Sequence, residues 1–81
     1  AVERARRLSE LGRLEEARTA AERAVRLAPF DADHRELAAT AALRLGDWAE
    51  AERHIAALVE IEPDREIHRL RLRKVRERLS G

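Results

Sequence analysis

At 81 residues the chain holds one small domain at most. With no Cys it has neither a disulfide framework nor a thiolate metal site, and its charged residues (41%) interrupt every apolar run well short of the roughly 20 residues a membrane span needs. Lys and Arg number 17 against 16 Asp and Glu, for a net charge of +1. Ala, Arg, Leu and Glu dominate and all favour helix, only Pro29, Pro63, Gly12, Gly46 and Gly81 oppose it, and no β-branched run suggests a strand. The expectation is an all-α chain. No Met opens it and no charged-then-apolar leader is visible, so it reads as a fragment or processed chain, with a cytoplasmic location expected.

In chain order the breakers divide the sequence into about five helices, near 1–11, 14–28, 32–45, 48–61 and 65–79. Gly12 follows Leu11 where a left-handed glycine would close the first helix, and Arg13 stands where a cap acid is wanted, so the second helix should start weakly. Its apolar stripe is Leu14, Ala17, Ala21, Ala24 and Val25. Pro29 ends it, and Asp31 or Asp33 can cap the third helix; Ala38, Ala39 and Ala42 on it, with Ala17 and Ala51 on the helices either side, permit close helix approach. Gly46 should close that helix. Asp47 with Glu50 three residues on reads as a capping box for the fourth, whose stripe is Trp48, Ala51, Ile55, Leu58 and Val59. Pro63 ends the fourth helix and Asp64 can cap the fifth, where Ile67, Leu70, Leu72, Val75 and Leu79 should cover the preceding pair. Trp48 is expected in the core and His54 on the surface.

These elements repeat. Gly12 and Gly46, Pro29 and Pro63, and His34 and His68 are each 34 residues apart. The same offset matches Ala5/Ala39, Leu11/Leu45, Glu16/Glu50, Ala17/Ala51 and Val25/Val59, and keeps apolar character at Leu14/Trp48, Ala21/Ile55, Ala24/Leu58 and Leu27/Ile61. The run Leu45-Gly46-Asp47-Trp48-Ala49-Glu50-Ala51, followed by Ile55, Leu58 and Pro63, resembles the tetratricopeptide repeat, a 34-residue helix–turn–helix unit. Leu11-Gly12-Arg13-Leu14-Glu15-Glu16-Ala17, then Ala21, Ala24 and Pro29, echoes it. Arg35 departs from the large apolar residue the family usually has there, and Ala42 from its Tyr. The resemblance implies a right-handed α-solenoid of antiparallel helix pairs: a truncated first repeat at 1–29, a complete second at 30–63, and a terminal capping helix at 64–81. In that last segment Arg73 and Arg76 replace the inward Ala39 and Ala42.

Charge is segregated along the chain. Residues 14–64 carry six basic and twelve acidic side chains, residues 65–81 seven basic and two acidic. Arg69, Arg73 and Arg76 form a basic face on the last helix, suited to solvent, an acidic partner or phosphates, but the absence of interleaved aromatics disfavours single-stranded nucleic acid. His34 and His68 should stack on successive units, making helix-terminus contacts rather than holding a metal. The remaining acids read as caps and i,i+4 pairs such as Glu3/Arg7, Glu22/Arg26 and Asp31/Arg35. No nucleophile, base and acid stand at a suggestive spacing and there is no Gly-rich phosphate loop, so neither an enzyme nor a cofactor is expected.

In the family, the first helices of successive units line a concave groove that holds a partner peptide or helix. The resemblance places Val2, Arg6 and Ser9, then Asp33, Glu36, Thr40 and Arg44, then Ile67, Leu70, Lys74 and Arg78 in that groove. Family members that clamp a chaperone's C-terminal carboxylate use Lys and Asn there. This chain has no Asn and places acids on its middle helix, which excludes that use. The expected function is a non-catalytic scaffold for a protein or peptide partner carrying both charge signs. The alternatives are a regulatory segment acting through the basic last helix, or a structural piece of a longer solenoid. Apolar edges at the two ends also suit a homo-oligomer.

Overall fold

A computed structural model describes residues 2–81, with side chains from Gly12 onward. Four helices follow one another: α1 (Val2–Leu27), α2 (Ala32–Leu45), α3 (Trp48–Ile61) and α4 (Glu66–Ser80). The chain is all-helical and solenoid-like, with one helix fewer than the breakers suggested. The difference lies at Gly12, which sits inside α1 in helical conformation. Its repeat counterpart Gly46 adopts φ 76°, ψ 16°, and the backbone N–H of Asp47 closes the turn onto the carbonyl of Ala42 at 2.9 Å. What separates the two sites is the next residue. Asp47 accepts a hydrogen bond from the Glu50 N–H at 3.1 Å, satisfying one of the donors that a new helix start exposes. Arg13 has no acceptor to offer, so the helix runs through.

Asp31 caps α2 by accepting from the N–H groups of Asp33 and His34. One expected cap and one half of the expected capping box do not form. Asp64 leaves the start of α4 to Arg65, which makes no side-chain cap. Asp47 caps α3, but the Glu50 carboxylate turns away to meet Arg18 rather than closing the capping box.

Successive helices pack pairwise, α1 on α2, α2 on α3 and α3 on α4. Side chains join alternate ones. Arg71 of α4 holds both carboxylate oxygens of Glu36 on α2, at 2.7 and 3.0 Å. Glu22 and Arg18 of α1 reach His54 and Glu50 on α3. The result is two layers, α1 with α3 and α2 with α4, in a slab of 46 × 33 × 16 Å. No described helix is long and apolar enough to cross a membrane.

The core is thin and alanine-rich. Ala39, Ala42, Ala51, Ile55, Leu72 and Val75 form one buried cluster, with Leu43, Trp48, Ala56 and Val59 packed on its rim, while Ala21, Val25 and Ala38 form another. Ala38, Ala39, Ala42 and Ala51 are fully buried, so small side chains do set the close approach of α2 to its neighbours. Ala17 does not share this role and is exposed. Trp48 is half-buried, not deep in the core, and Arg78 lies over its ring at 5.2 Å from the centroid. On α4 only Leu72 and Val75 of the five expected apolar contacts are buried. Ile67, Leu70 and Leu79 are exposed, and His68 is buried in their stead.

Candidate partner-binding groove

Along α2, Asp33, Leu37 and Arg44 are exposed and Thr40 is half-buried, in one stripe at helical spacing opposite the buried Ala38, Ala39 and Ala42, with Glu36 beside it. Along α4, Ile67, Leu70, Lys74 and Arg78 are all exposed. The structure gathers these residues into smaller sites. Asp33, Glu36 and Ile67 share a cavity of about 300 Å³ with Ala32, Glu62, Arg65, His68 and Arg71. Lys74 and Arg78 line a second, of about 650 Å³, with Trp48, Glu77 and Gly81. Arg44 lies apart, in a cavity of about 580 Å³ with Arg13, Leu14 and Ala17. Those last two cavities are repeat equivalents, since Leu14/Trp48 and Arg44/Arg78 are each 34 apart. Leu70 and Thr40 line none of the three. The side chains of Val2, Arg6, Ser9 and the Glu3/Arg7 pair lie outside the described residues.

Sequence reasoning missed two residues of this surface. Leu37 was absent from the groove set, yet it is 60% exposed between Asp33 and Thr40. Arg71 was not singled out, although it carries the bridge from α4 to α2. On the outer side of α4, Arg69, Arg73 and Arg76 surround Val59 and Leu72 over a cavity of about 500 Å³. Arg76 is engaged by Glu52 at 3.3 Å, and Arg69 donates to the Pro63 carbonyl at 2.5 Å.

That last bond explains the Arg35 departure. Arg35 and Arg69 are 34 apart, each six residues after a Pro, and Arg35 Nε donates to the Pro29 carbonyl at 2.9 Å. Both repeats therefore carry Pro-x4-His-Arg, with the Arg tying down the carbonyl of the preceding turn. The expected Asp31/Arg35 pair gives way to this contact, and the Glu22/Arg26 pair gives way to Glu22 with His54. The preceding His differs between units. His68 is buried with Nε2 2.8 Å from Glu62, whereas His34 reaches Asp31 only at 4.0 Å, and each leaves a buried Nδ1 without a partner.

The largest correction is His54, which is 1% exposed, not on the surface. Its Nδ1 lies 3.2 Å from Arg35 Nη1 and its Nε2 2.6 Å from Glu22 Oε1. A guanidinium can only donate, so Nδ1 is the acceptor and Nε2 carries the proton given to Glu22. Among the described residues, Glu22, Glu50 and His54 are the group whose ligand atoms lie close enough, within 4.8 Å of one another, to hold a metal ion. A metal would need the Nε2 lone pair, which moves the ring proton to Nδ1 and sets it against the Arg35 donor, so the arrangement resists an ion as built. Glu50 is pushed up to about 7, first by its hydrogen bond with Glu22 and then by burial. Glu22 is held below its ordinary range, chiefly by the same hydrogen bond.

No curated protein and no solved structure matches the chain. The model of one family does, the tetratricopeptide repeat, over residues 2–66. That span takes in the Gly46 turn, both prolines, and α2 and α3 entire. By its helix pairs, its 34-residue register and this match, the chain belongs to the tetratricopeptide repeat family.

Proposed function

We propose that the chain is a non-catalytic interaction module that holds a protein or peptide segment along the shared face of α2 and α4. Tetratricopeptide repeats generally mediate protein–protein interaction and typically lack catalysis. One observation carries the reading here: Leu37, Ile67 and Leu70 stay exposed on neighbouring helices, with Asp33 and Glu36 towards one side and Lys74 and Arg78 towards the other. Apolar side chains supply affinity, and the flanking charges set the direction of a segment that carries both signs. Capture by the full chain tests it. Leu37→Asp and Leu70→Asp should each weaken the captured partner at least about fivefold, as for a hot spot worth over 1 kcal/mol. Arg53→Ala on the exposed side of α3 should not. Equal retention by all three variants would reject the groove.

A second reading rests on Arg69, Arg73 and Arg76 around the apolar floor of Val59 and Leu72. An acidic amphipathic helix suits that surface better than nucleic acid, since no aromatic side chain lines it. Nucleic acid would instead show a steep salt dependence, lost when the three Arg are replaced. The exposure of Arg73 and Arg76 also supports α4 as a capping helix, with repeats at 1–29 and 30–63 before it. A homo-oligomer through the open ends is read directly by light scattering.

A further inference from the structure

We propose that Glu22 and Glu50 share a single proton across the contact between α1 and α3, so that this joint between repeats is tight in mild acid and loosens above neutral pH. The inference is independent of what the groove binds. It starts from an apposition that needs explaining, two carboxylates from different helices with oxygens within 4.8 Å, beside a histidine that is almost wholly buried. Three fillings can relieve such a pair: a cation, a counter-charge or a proton.

The cation is opposed by Arg35, which fixes the His54 proton on the nitrogen that faces Glu22. The counter-charge is Arg18, and it is already divided. Its guanidinium meets Glu15 at 2.7 Å, Glu50 at 3.4 Å and Asp47 at 3.5 Å. One positive charge spread over three acids, and closest to Glu15, leaves the pair underneutralised. A proton on Glu50 completes the geometry. Ionised Glu22 then accepts from both the Glu50 hydroxyl and His54 Nε2–H, while the other Glu50 oxygen accepts from Arg18. Along the chain Arg35, His54, Glu22, Glu50, Arg18 the donors point inward from both ends and converge on Glu22 without a clash, crossing α2, α3 and α1. The charged groups that face the pair are Arg18 on α1, Arg35 on α2 through His54, and Asp47, Arg53 and His54 on α3. From α4, Arg76 meets Glu52, and among the described residues no charged group of α4 contacts the cluster. The raised Glu50 value agrees with this arrangement.

The sign follows from linkage. The Glu50 carboxyl is raised from 4.5 to about 7 on folding, so its contribution is fully present below pH 4.5 and is lost as pH rises through about 7. Glu50→Gln keeps the shape and the donor of the protonated acid and cannot ionise.

The test is thermal unfolding of the full chain and of Glu50→Gln from about pH 5.5 to about pH 8.5, a window that brackets the shifted value. The wild type should lose melting temperature relative to the variant as pH rises, with the difference centred near pH 7, and the variant should be the more stable at the alkaline end. Other titrating groups are common to both proteins, so the difference curve isolates Glu50. Parallel curves, or a variant less stable throughout, would overturn the proposal. Carbon-13 titration of the wild-type carboxyls needs no variant. One Glu should titrate near 7, and all carboxyls titrating in the ordinary acidic range would overturn it. So would zinc at neutral pH shifting the His54 ring signals and raising the melting temperature, because an ion would then occupy the place assigned to the proton.

Discussion

Gly12 and Gly46 occupy the same repeat position, and alanine at each should act with opposite sign. Gly12 lies within α1, and a Cβ there meets nothing within 4 Å. Gly12→Ala gains helix propensity and loses no contact, so it should stabilise by about 1 kcal/mol. Gly46 also has open space for a Cβ, but its φ of 76° lies in the left-handed region. Gly46→Ala should destabilise by roughly 1–2 kcal/mol, through the backbone alone. For a chain of this size each kcal/mol moves the melting temperature by about 4–8 °C, so the two variants should separate by about 8 °C or more in a far-UV circular dichroism melt. If Gly12→Ala loses as much stability as Gly46→Ala, α1 is broken at Gly12 and the two turns are equivalent.

That pair also shows where the sequence is ambiguous. The 34-residue register, the alanine contacts of α2 and the turn at Gly46 are legible because each rests on several agreeing local signals: the glycine, the cap acid Asp47 and the apolar residues on either side. Gly12 carries only the first of these. Leu37 escaped notice because an isolated Leu on an amphipathic helix reads as core, and its exposure depends on the direction α2 takes between its neighbours. The half-buried polar chain around His54 was hidden for a different reason. Glu22, Arg35, Glu50 and His54 are dispersed through the sequence and each has an ordinary surface role open to it. The repetition of Arg35 at Arg69 was the available clue, and it points to the Pro carbonyl rather than to His54.

Asp47→Ala removes the cap from α3 and should cost about 1 kcal/mol in urea unfolding. Ile55→Ala, at a fully buried site, should cost about 2–5 kcal/mol by the same assay. Arg35→Leu leaves the Pro29 carbonyl and His54 Nδ1 without their donor and should cost about 1–3 kcal/mol, even though it moves the position towards the family's apolar preference. A double-mutant cycle on Glu36 and Arg71, whose side chains are 43% and 24% exposed, should return less than about 1 kcal/mol of coupling. For Glu50, a rise from 4.5 to about 7 sets an upper limit of about 3 kcal/mol on the stability lost between mild acid and pH 8. The lowered Glu22 value acts only below pH 4.5, outside this window.

The central functional claim concerns a face, and site-specific photo-crosslinking reads a face directly. A photoreactive side chain placed at Thr40 or Lys74 should capture the same partner from both α2 and α4, while one at Arg53 on α3 should capture none of it. Capture from Arg53 equal to that from Thr40 and Lys74, or from Arg53 alone, would contradict binding in the groove.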